Sequence, residues 1–328
     1  MTNVSIIITT HNRPHLLARA VESAQAASRR GVEVIIVDDA STDDNGDKNA
    51  DIGRRFQDVK YVRIERNQGV AGARNVGILA SRGEYLSFLD DDDVRLEGSL
   101  DKQVDALDSA PEAGLVYGQA ILGAEDGSRT DSLYPERCPD GDVFWELLSQ
   151  NFVPCGTALF RRSCLSRIGL LDPGISGIDD WDLWVRIAEL YPVLSQERPL
   201  MIWRKSTPVS GQGTSNAIRI VELSTRRFHN NWMSLQRVKR ASARKRKTIS
   251  RKFSDNMAKH LLWEAMRPAA AGHLLRSPKN ILAAIRLCPT GVARAFLRMK
   301  NFRSLLTHVH KEREALKAAH AASKRACG

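Results

Sequence analysis

The chain has 328 residues, of which 42% are hydrophobic and 27% are charged, so we expect a folded protein of about two domains. It contains no run of about 18 apolar residues, which argues against a membrane-spanning helix. The first residues lack a basic segment with a cleavage site and predict a buried strand instead of a signal peptide. The five cysteines show no Cys-any-any-Cys spacing, so we expect reduced thiols, a cytosolic location and no cysteine-metal site.

The net charge of +11 is unevenly distributed along the chain. Residues 216–328 contain 26 Lys and Arg but five Asp and Glu, a local balance of +21, whereas residues 1–215 have a balance of −10. Such asymmetry predicts two parts with different partners. We therefore expect a catalytic or binding domain over residues 1–215 and a basic, mainly helical region over residues 216–328.

Strand and helix patterns alternate in the first part of the chain. Runs rich in β-branched residues predict four buried strands, at 4–9, 32–37, 59–64 and 85–89. Helical spacing between them predicts helices that begin near Pro14 and that span 47–56 and 70–80. Alternating strands and helices imply an α/β fold with a mostly parallel sheet and helices on both faces.

The pattern after the fourth strand is more mixed. It predicts helices over 96–110, 142–149 and 180–189, and strands over 114–121 and 199–203. From Ile218 onward the pattern is helical and basic, and its densest run of Lys and Arg lies at 239–247.

Carboxylates follow two of the predicted strands. Asp38 and Asp39 end the second strand, and four adjacent residues, Asp90 to Asp93, end the fourth. Ligands of open α/β sheets bind beyond these strand ends. Because adjacent carboxylates repel one another, a divalent cation such as Mg²⁺ or Mn²⁺ would stabilise them and could also bridge phosphate oxygens. A solvated loop that caps the next helix is the alternative that spacing leaves open.

Five segments of the sequence occur in the order and spacing typical of one enzyme family. They are VSIIITTHNRP, VIIVDDASTDD, NQGVAGARNVG, FLDDDDVRLEGSL and GISGIDDWDLWVRIAELY. From Val4 to about Gly213 the chain resembles the family 2 glycosyltransferases. The resemblance implies a GT-A nucleotide-sugar-binding fold, an Asp-any-Asp motif and a divalent metal. It also implies an inverting transfer of a sugar from a nucleotide diphosphate, most often a UDP-sugar, to an acceptor hydroxyl in polysaccharide or glycolipid synthesis.

The resemblance also implies roles for individual positions. The nucleotide sugar would be bound by Thr9, His11, Asn12, Asp39, Arg74, Asp90 and Asp91. Asp92 would ligate the metal, Asp93 could share that task, and Asp180 would be the general base that takes a proton from the acceptor hydroxyl. Three structural alternatives remain: a helix N-terminal acid at Asp180, an exposed arginine at Arg74 and a surface turn at His11.

The chain departs from the family pattern after the predicted last strand. Many relatives place a histidine there as a further metal ligand, where this chain has Arg204, Lys205 and Ser206. The third protein ligand is therefore open, and Arg204 or Lys205 could contact the diphosphate instead. The Gln-any-any-Arg-Trp motif of processive synthases does not occur, which predicts one sugar added per encounter.

Two other functions remain open at the level of sequence. One is a nucleotidyltransferase that makes a sugar nucleotide, although it calls for a glycine-rich basic loop where this chain has TTHNRP. The other is a non-catalytic protein that binds a nucleotide sugar or a membrane surface.

Three explanations of the basic C-terminal region are compatible with its sequence. It could pack on the catalytic domain, contact an anionic membrane peripherally from the cytoplasmic side, or bind nucleic acid. Nucleic acid is the weakest of the three, because neither a known nucleic-acid-binding fold nor a set of stacking aromatic residues is evident.

Overall fold

The structure is a computed structural model that describes residues 4–123, 129–204, 217–270, 278–287 and 289–297. The chain forms two compact units. The first comprises the residues up to 129 together with 133–144 and 152–210, and the second comprises 130–132, 145–151 and 211–328. The domain boundary expected at residue 215 stays a prediction.

Strands and helices alternate from Val4 to Asp90 and follow a less regular order after that. The strands are β1 Val4–Thr10, β2 Glu33–Asp38, β3 Val59–Arg63, β4 Tyr85–Asp90, β5 Val94–Arg95, β6 Leu115–Gly123, β7 Arg129–Tyr134, β8 Leu159–Arg161 and β9 Val193–Arg204. The helices as far as residue 190 are α1 Pro14–Ala26, α2 Asn45–Arg54, α3 Gly69–Ala80, α4 Asp101–Asp108, α5 Phe144–Ser149, α6 Leu165–Ile168 and α7 Asp179–Leu190. They are followed by α8 Ala217–Asn230, α9 Gln236–Arg240, α10 Ala243–Ala270, α11 Pro278–Leu287 and α12 Pro289–Leu297.

Within the described residues the strands form one mixed sheet in the order β3-β2-β1-β4-β8-β6-β9-β5, with β7 paired to β6. The four predicted strands β1 to β4 pair in parallel, as expected. Beyond β4 the pairs of β8 with β4 and β6, of β5 with β9 and of β7 with β6 are antiparallel. The α/β class is confirmed, and its parallel half carries the strand ends that the sequence singled out.

Burial explains why the first half of the sheet was recognisable in the sequence. Every residue of β1 and β2 is buried, because helices cover this sheet on both faces. The short strands β5, β7 and β8 have two, six and three residues and were not predicted. β5 and β8 are too short to show an alternation of apolar and polar residues, and β7, RTDSLY, has no buried residue and a mostly polar sequence.

One predicted helix begins later than expected. The sequence pattern suggested a helix over 96–110, but α4 begins at Asp101. Gly98 has a left-handed backbone with φ of 62°, and its N–H donates to the Ala26 carbonyl oxygen. That conformation is incompatible with a helix, so residues 96–100 form a turn against the end of α1.

The second unit has an aromatic core of its own. Phe228 of α8 stacks on Phe253 of α10 with ring centroids 4.1 Å apart, and Trp232 contacts Phe228 edge-on. Helix α10 also contacts α11 and α12. Among the described residues, no helix is both long enough and apolar enough to cross a bilayer.

Helix α3 approaches the sheet closely because Gly77 has no side chain. A Cβ built at Gly77 would collide with Cγ2 of Ile7 and would lie 3.2 Å from Cγ2 of Val37. The absence of a side chain therefore sets the distance between α3 and the strands β1 and β2. This distance also determines where the rest of α3 lies at the sheet edge.

We expect Gly77→Ala to lower the free energy of unfolding by about 1–3 kcal/mol, because overpacking outweighs the better helix propensity of alanine. Denaturant unfolding measures the change. In an Ile7→Ala background the same substitution should be much less harmful, since the colliding methyl is gone. Equal losses in both backgrounds would show that close packing at Gly77 is not the cause.

Candidate active site

The parallel strands bring the predicted site residues to one edge of the sheet. In the register of β1, Thr9 lies beside Asp90 of β4, and Thr10 lies beside Asp38 of β2. The acidic ends of β2 and β4 therefore flank the end of β1. This edge is the one at which open α/β sheets bind their ligands.

Asp38 organises the loop that follows β2. Its carboxylate is fully buried and accepts hydrogen bonds from Ser41 N, Asn49 Nδ2 and Tyr61 Oη at 2.8–2.9 Å. Burial alone would raise the pKa of Asp38, but these hydrogen bonds outweigh it and lower the pKa below its ordinary value. Asp38 is thus an ionised structural anchor for the neighbouring residue Asp39.

Asp39 is buried and immediately precedes residues that line a surface cavity. Its Oδ1 accepts a hydrogen bond of 2.7 Å from Gln68 N, which ties it to the start of α3. The next residue, Ala40, has a positive φ of 59° and turns the chain away. A cavity of about 660 Å³ begins there, lined by residues 40–43 and 63–65.

The loop after β1 is tied to the loop after β2. Asn12 has a φ of 57°, its N–H donates to Ser41 Oγ and its Oδ1 accepts from Thr42 N at 2.8 Å. His11 is partly buried and lies 3.2 Å from the Asn12 amide. Thr9 is buried within β1. The structure therefore brings His11 and Asn12 together on the Asp39 side of the edge.

Arg74 connects the two acidic segments of the site. From α3 its guanidinium binds Oδ1 of Asp90 at 2.8 Å and Oδ2 of Asp179 at 2.9 Å. It also lies over the Phe88 ring, 5.0 Å from the centroid. Arg74 is only 5% exposed, so the alternative of an exposed arginine on a packed helix is wrong.

Three of the four consecutive carboxylates converge. Asp93 N donates to the Asp90 carbonyl oxygen, which closes a tight turn. Asp90, Asp92 and Asp93 each place one carboxylate oxygen within 4.8 Å of the others. Burial, followed by repulsion from Asp90, raises the pKa of both Asp92 and Asp93. Oxygen ligands at this spacing are those that Mg²⁺ and Mn²⁺ prefer.

Arg13 neutralises the other side of this acidic turn, and the sequence did not single it out. Its Nη2 lies 2.7 Å from Oδ1 of Asp91, and its Nη1 lies 3.4 Å from Oδ2 of Asp92. Burial raises the pKa of Asp91 to about 7 despite this neighbour. The only sequence signal for Arg13 was its place just beyond the first predicted strand.

The last described residue of β9 also reaches the acidic turn. Arg204 N donates to Oδ1 of Asp93 at 2.9 Å. The backbone of the segment where relatives carry a histidine is thus held next to the carboxylates. Lys205 and Ser206 lie outside the described residues.

Helix α7 begins at the site with two adjacent carboxylates. Asp179 is buried and binds Arg74, whereas Asp180 is partly exposed and its Oδ1 accepts from Trp181 N at 2.7 Å. Burial and the neighbouring Asp179 raise the pKa of Asp180 to about 7, although Arg74 opposes the shift. Trp184 is fully buried and packs on Phe160, so it belongs to the core.

A buried arginine supports the segment beneath the site. Arg95 of β5 is only 2% exposed and donates to the Gly156 carbonyl oxygen and to Ser87 Oγ. Burial lowers its pKa to about 9. Thr157 is fully buried and bonds to the Pro154 carbonyl oxygen. The sequence pattern gave no indication of Arg95.

The profile of the family described as Glycosyl transferase family 2 matches residues 5–169. The chain belongs to this family. The match covers the strands and loops that hold Asp39, Arg74 and Asp90 to Asp93.

Individual relatives agree with this assignment. The chain is 35% identical over 189 residues to the Escherichia coli UDP-Glc:alpha-D-GlcNAc-diphosphoundecaprenol beta-1,3-glucosyltransferase WfaP, covering 57% of this chain and 70% of that protein. Staphylococcus aureus TarS 1–349 in complex with UDP-GlcNAc has a similar fold, with a TM-score of 0.60 and 15% identity over 88% of this chain and 82% of that one.

A second solved structure shows the same fold. The mannosyltransferase PcManGT from Pyrobaculum calidifontis, in complex with GDP-Man and Mn²⁺, has a TM-score of 0.55 and 20% identity over 94% of this chain and 84% of that one. Uncharacterized glycosyltransferases of Nostoc and Rickettsia are also similar, and the matched segment spans between 35% and 56% of their length.

We expect Arg74→Met to lower the free energy of unfolding by about 3–5 kcal/mol, because it leaves the buried Asp179 without its cation. Combining it with Asp179→Asn should restore part of the loss. Denaturant unfolding at neutral pH measures both.

The control for this prediction is Arg54→Met, which breaks an exposed ion pair with Asp51. It should change the free energy of unfolding by less than about 1 kcal/mol. If Arg74→Met behaved like Arg54→Met, the bridge between the two acidic segments would have no structural importance.

Proposed function

We propose that this protein is an inverting, metal-dependent glycosyltransferase that moves a sugar from a nucleotide diphosphate to an acceptor hydroxyl. One observation carries the proposal: Arg74 holds Asp90 beside Asp179, so that the donor-side carboxylates and Asp180 share one edge of the sheet. The carboxylates proposed to bind the donor and the carboxylate proposed to accept a proton, Asp180, are therefore close together. Membership of the glycosyltransferase family favours this reaction over nucleotidyl transfer.

The residues present suit a divalent cation. Asp92 and Asp93, with Asp90, offer carboxylate oxygens within 4.8 Å of one another, and repulsion among them favours a bound cation. Asp93 would supply a metal ligand in place of the histidine that many relatives carry. When bound, Mn²⁺ or Mg²⁺ would stabilise the negative charge that develops on the leaving diphosphate.

The other residues bind, orient and accept a proton. Asp39, His11 and Asn12 lie on the loops after β1 and β2 and would hold the base, whereas Thr9, Arg74, Asp90 and Asp91 would form the ribose and phosphate side. Asp180 takes the proton of the acceptor hydroxyl as its oxygen forms a bond to the anomeric carbon. The bond from that carbon to the diphosphate oxygen breaks, and the nucleoside diphosphate leaves with the electron pair.

The names of the relatives favour a uridine donor and a lipid-linked acceptor. WfaP is named for UDP-Glc and for an acceptor on diphosphoundecaprenol, and TarS was solved with UDP-GlcNAc. PcManGT was solved with GDP-Man and Mn²⁺, which supports the metal. We therefore expect a UDP-sugar donor and a role in cell-envelope polysaccharide synthesis on the cytoplasmic side.

We expect UDP together with Mn²⁺ to raise the melting temperature of the protein by roughly 5–10 °C at about 100 times the dissociation constant, because the ligand binds only the folded state. GDP, dTDP and ADP should give smaller shifts. Asp92→Asn should abolish the part of the shift that needs metal, and Asp39→Asn should weaken the preference for uracil.

The matched control is Asp105→Asn, which removes an exposed carboxylate paired with Arg30. It should leave the nucleotide shift unchanged. If no nucleoside diphosphate stabilised the unmodified protein with metal present, the transferase proposal would be wrong.

We expect kcat/KM to fall tenfold per pH unit below about 7, because Asp180 must be deprotonated to accept the proton and its pKa is raised to about 7. Asp180→Asn should lower kcat by about 10²–10⁴-fold and retain the nucleotide-induced shift in melting temperature.

Sugar transfer from UDP-sugars to a lipid-diphosphate acceptor measures these rates, with Asp105→Asn again as the control. Two results would show that Asp180 is not the general base: an Asp180→Asn variant with unchanged kcat, or a kcat/KM that does not change between pH 5 and 8.

A further inference from the structure

The second unit has a dense basic surface that the proposed reaction does not use. Between Lys239 and Lys252, eight of fourteen residues are Lys or Arg and none is acidic. Seven of the eight are exposed, and the other, Arg246, donates to the Lys239 and Ala241 carbonyl oxygens. We call the exposed seven the basic face: Lys239, Arg240, Arg244, Lys245, Lys247, Arg251 and Lys252.

Packing explains why these charges all point outward. Helix α10 buries Ile249, Phe253 and Met257 at a spacing of four residues, and Phe253 stacks on Phe228 of α8. Arg244, Lys247 and Arg251 recur at helical spacing away from that buried stripe. No salt bridge to any residue of the basic face occurs within the described parts of the chain. The mutual repulsion of these cations thus favours an anionic partner.

Two exposed apolar residues in the same unit indicate which kind of anionic partner the basic face would bind. On α11, Leu282 is 66% exposed and Ile285 is 47% exposed, and they lie three residues apart on one side of the helix. Ala284 of the same helix is fully buried, so α11 is packed and oriented. Arg286, which follows Ile285 in the chain, is exposed as well. A helix that exposes large apolar side chains beside cations is typical of proteins that bind the surface of an anionic bilayer.

We infer that the basic face of α9 and α10, together with Leu282 and Ile285 of α11, is a docking surface for an anionic phospholipid bilayer. The cations bind lipid phosphates, and the apolar pair enters the boundary between headgroups and acyl chains. The inference gains relevance from the proposed function, because a lipid-linked acceptor would lie in that bilayer. Its test does not depend on sugar transfer.

The described aromatic residues argue against nucleic acid as the partner. Proteins that bind single strands stack bases on exposed aromatic rings. Phe228, Trp232 and Phe253 of this unit are buried, Trp145 and Trp263 are half-buried, and Lys245 lies over the Trp145 ring, 4.8 Å from its centroid. Exposed Leu282 and Ile285 would gain nothing from a phosphate backbone.

Flotation of the full chain with lipid vesicles tests the inference. The chain should bind vesicles that mix phosphatidylglycerol with phosphatidylcholine, and it should not bind phosphatidylcholine alone. Removing three charges with Arg244→Ser, Lys247→Ser and Arg251→Ser should weaken binding on the order of 100-fold, at about fivefold per charge. The double variant Leu282→Ser with Ile285→Ser should weaken vesicle binding at high salt, because salt screens the charges and leaves the apolar contacts with the bilayer.

A charge-matched control removes three exposed cations of the first unit, by Arg19→Ser, Arg55→Ser and Arg167→Ser. It should bind vesicles like the unmodified chain. Three results would overturn the inference: equal binding to neutral vesicles, equal losses in both triple variants, or preferential binding to RNA over anionic vesicles. Circular dichroism confirms that the variants fold, and the vesicle comparison on the unmodified chain requires no variant at all.

Discussion

The site depends on one buried cation between two carboxylates. Arg74 lies 16 residues before Asp90 and 105 residues before Asp179, and it binds both. Without it, the end of β4 and the start of α7 would present like charges to each other, and the carboxylates would separate or take up protons. Because α7 also carries Asp180, the position of the proposed base depends on the same interaction. The close approach of α3 at Gly77 is what lets Arg74 reach that point.

The acidic turn shows how a fold tolerates four adjacent carboxylates. Each has a different compensation: Asp90 binds Arg74, Asp91 binds Arg13, and Asp93 accepts from the backbone of Arg204. Within the described residues, the ion pair of Asp92 is the longer contact to Arg13, at 3.4 Å. The protein's own cations thus neutralise Asp90 and Asp91, and the least compensated carboxylate, Asp92, belongs to the set that suits a divalent cation.

The sequence predicted the parts of the site that depend on local pattern. Asp38, Asp39 and the run after β4 follow buried strands, and strand order alone brings such ends together. Arg74 was expected at a nucleotide or on an open surface, because a partner 105 residues away leaves no trace in helical spacing. Arg13 and the bond of Arg95 to the Gly156 carbonyl oxygen were missed for the same reason, and short strands such as β8 are too brief to show a period. Long-range pairing is what the sequence pattern alone does not reveal.

The two units use the same residue types in opposite ways. In the first, Arg74 and Arg95 are buried, and each cation is hydrogen-bonded to specific carboxylate, amide or carbonyl oxygens that determine its geometry. In the second, the seven residues of the basic face are exposed around an apolar core of Phe228, Trp232 and Phe253. A buried cation must have a precise partner, since desolvation is costly, whereas exposed cations act by their summed field. The first arrangement suits the recognition of one small anionic donor, and the second suits a broad anionic surface with no fixed geometry. Under the two proposals, the division of charge along the chain would correspond to two kinds of recognition.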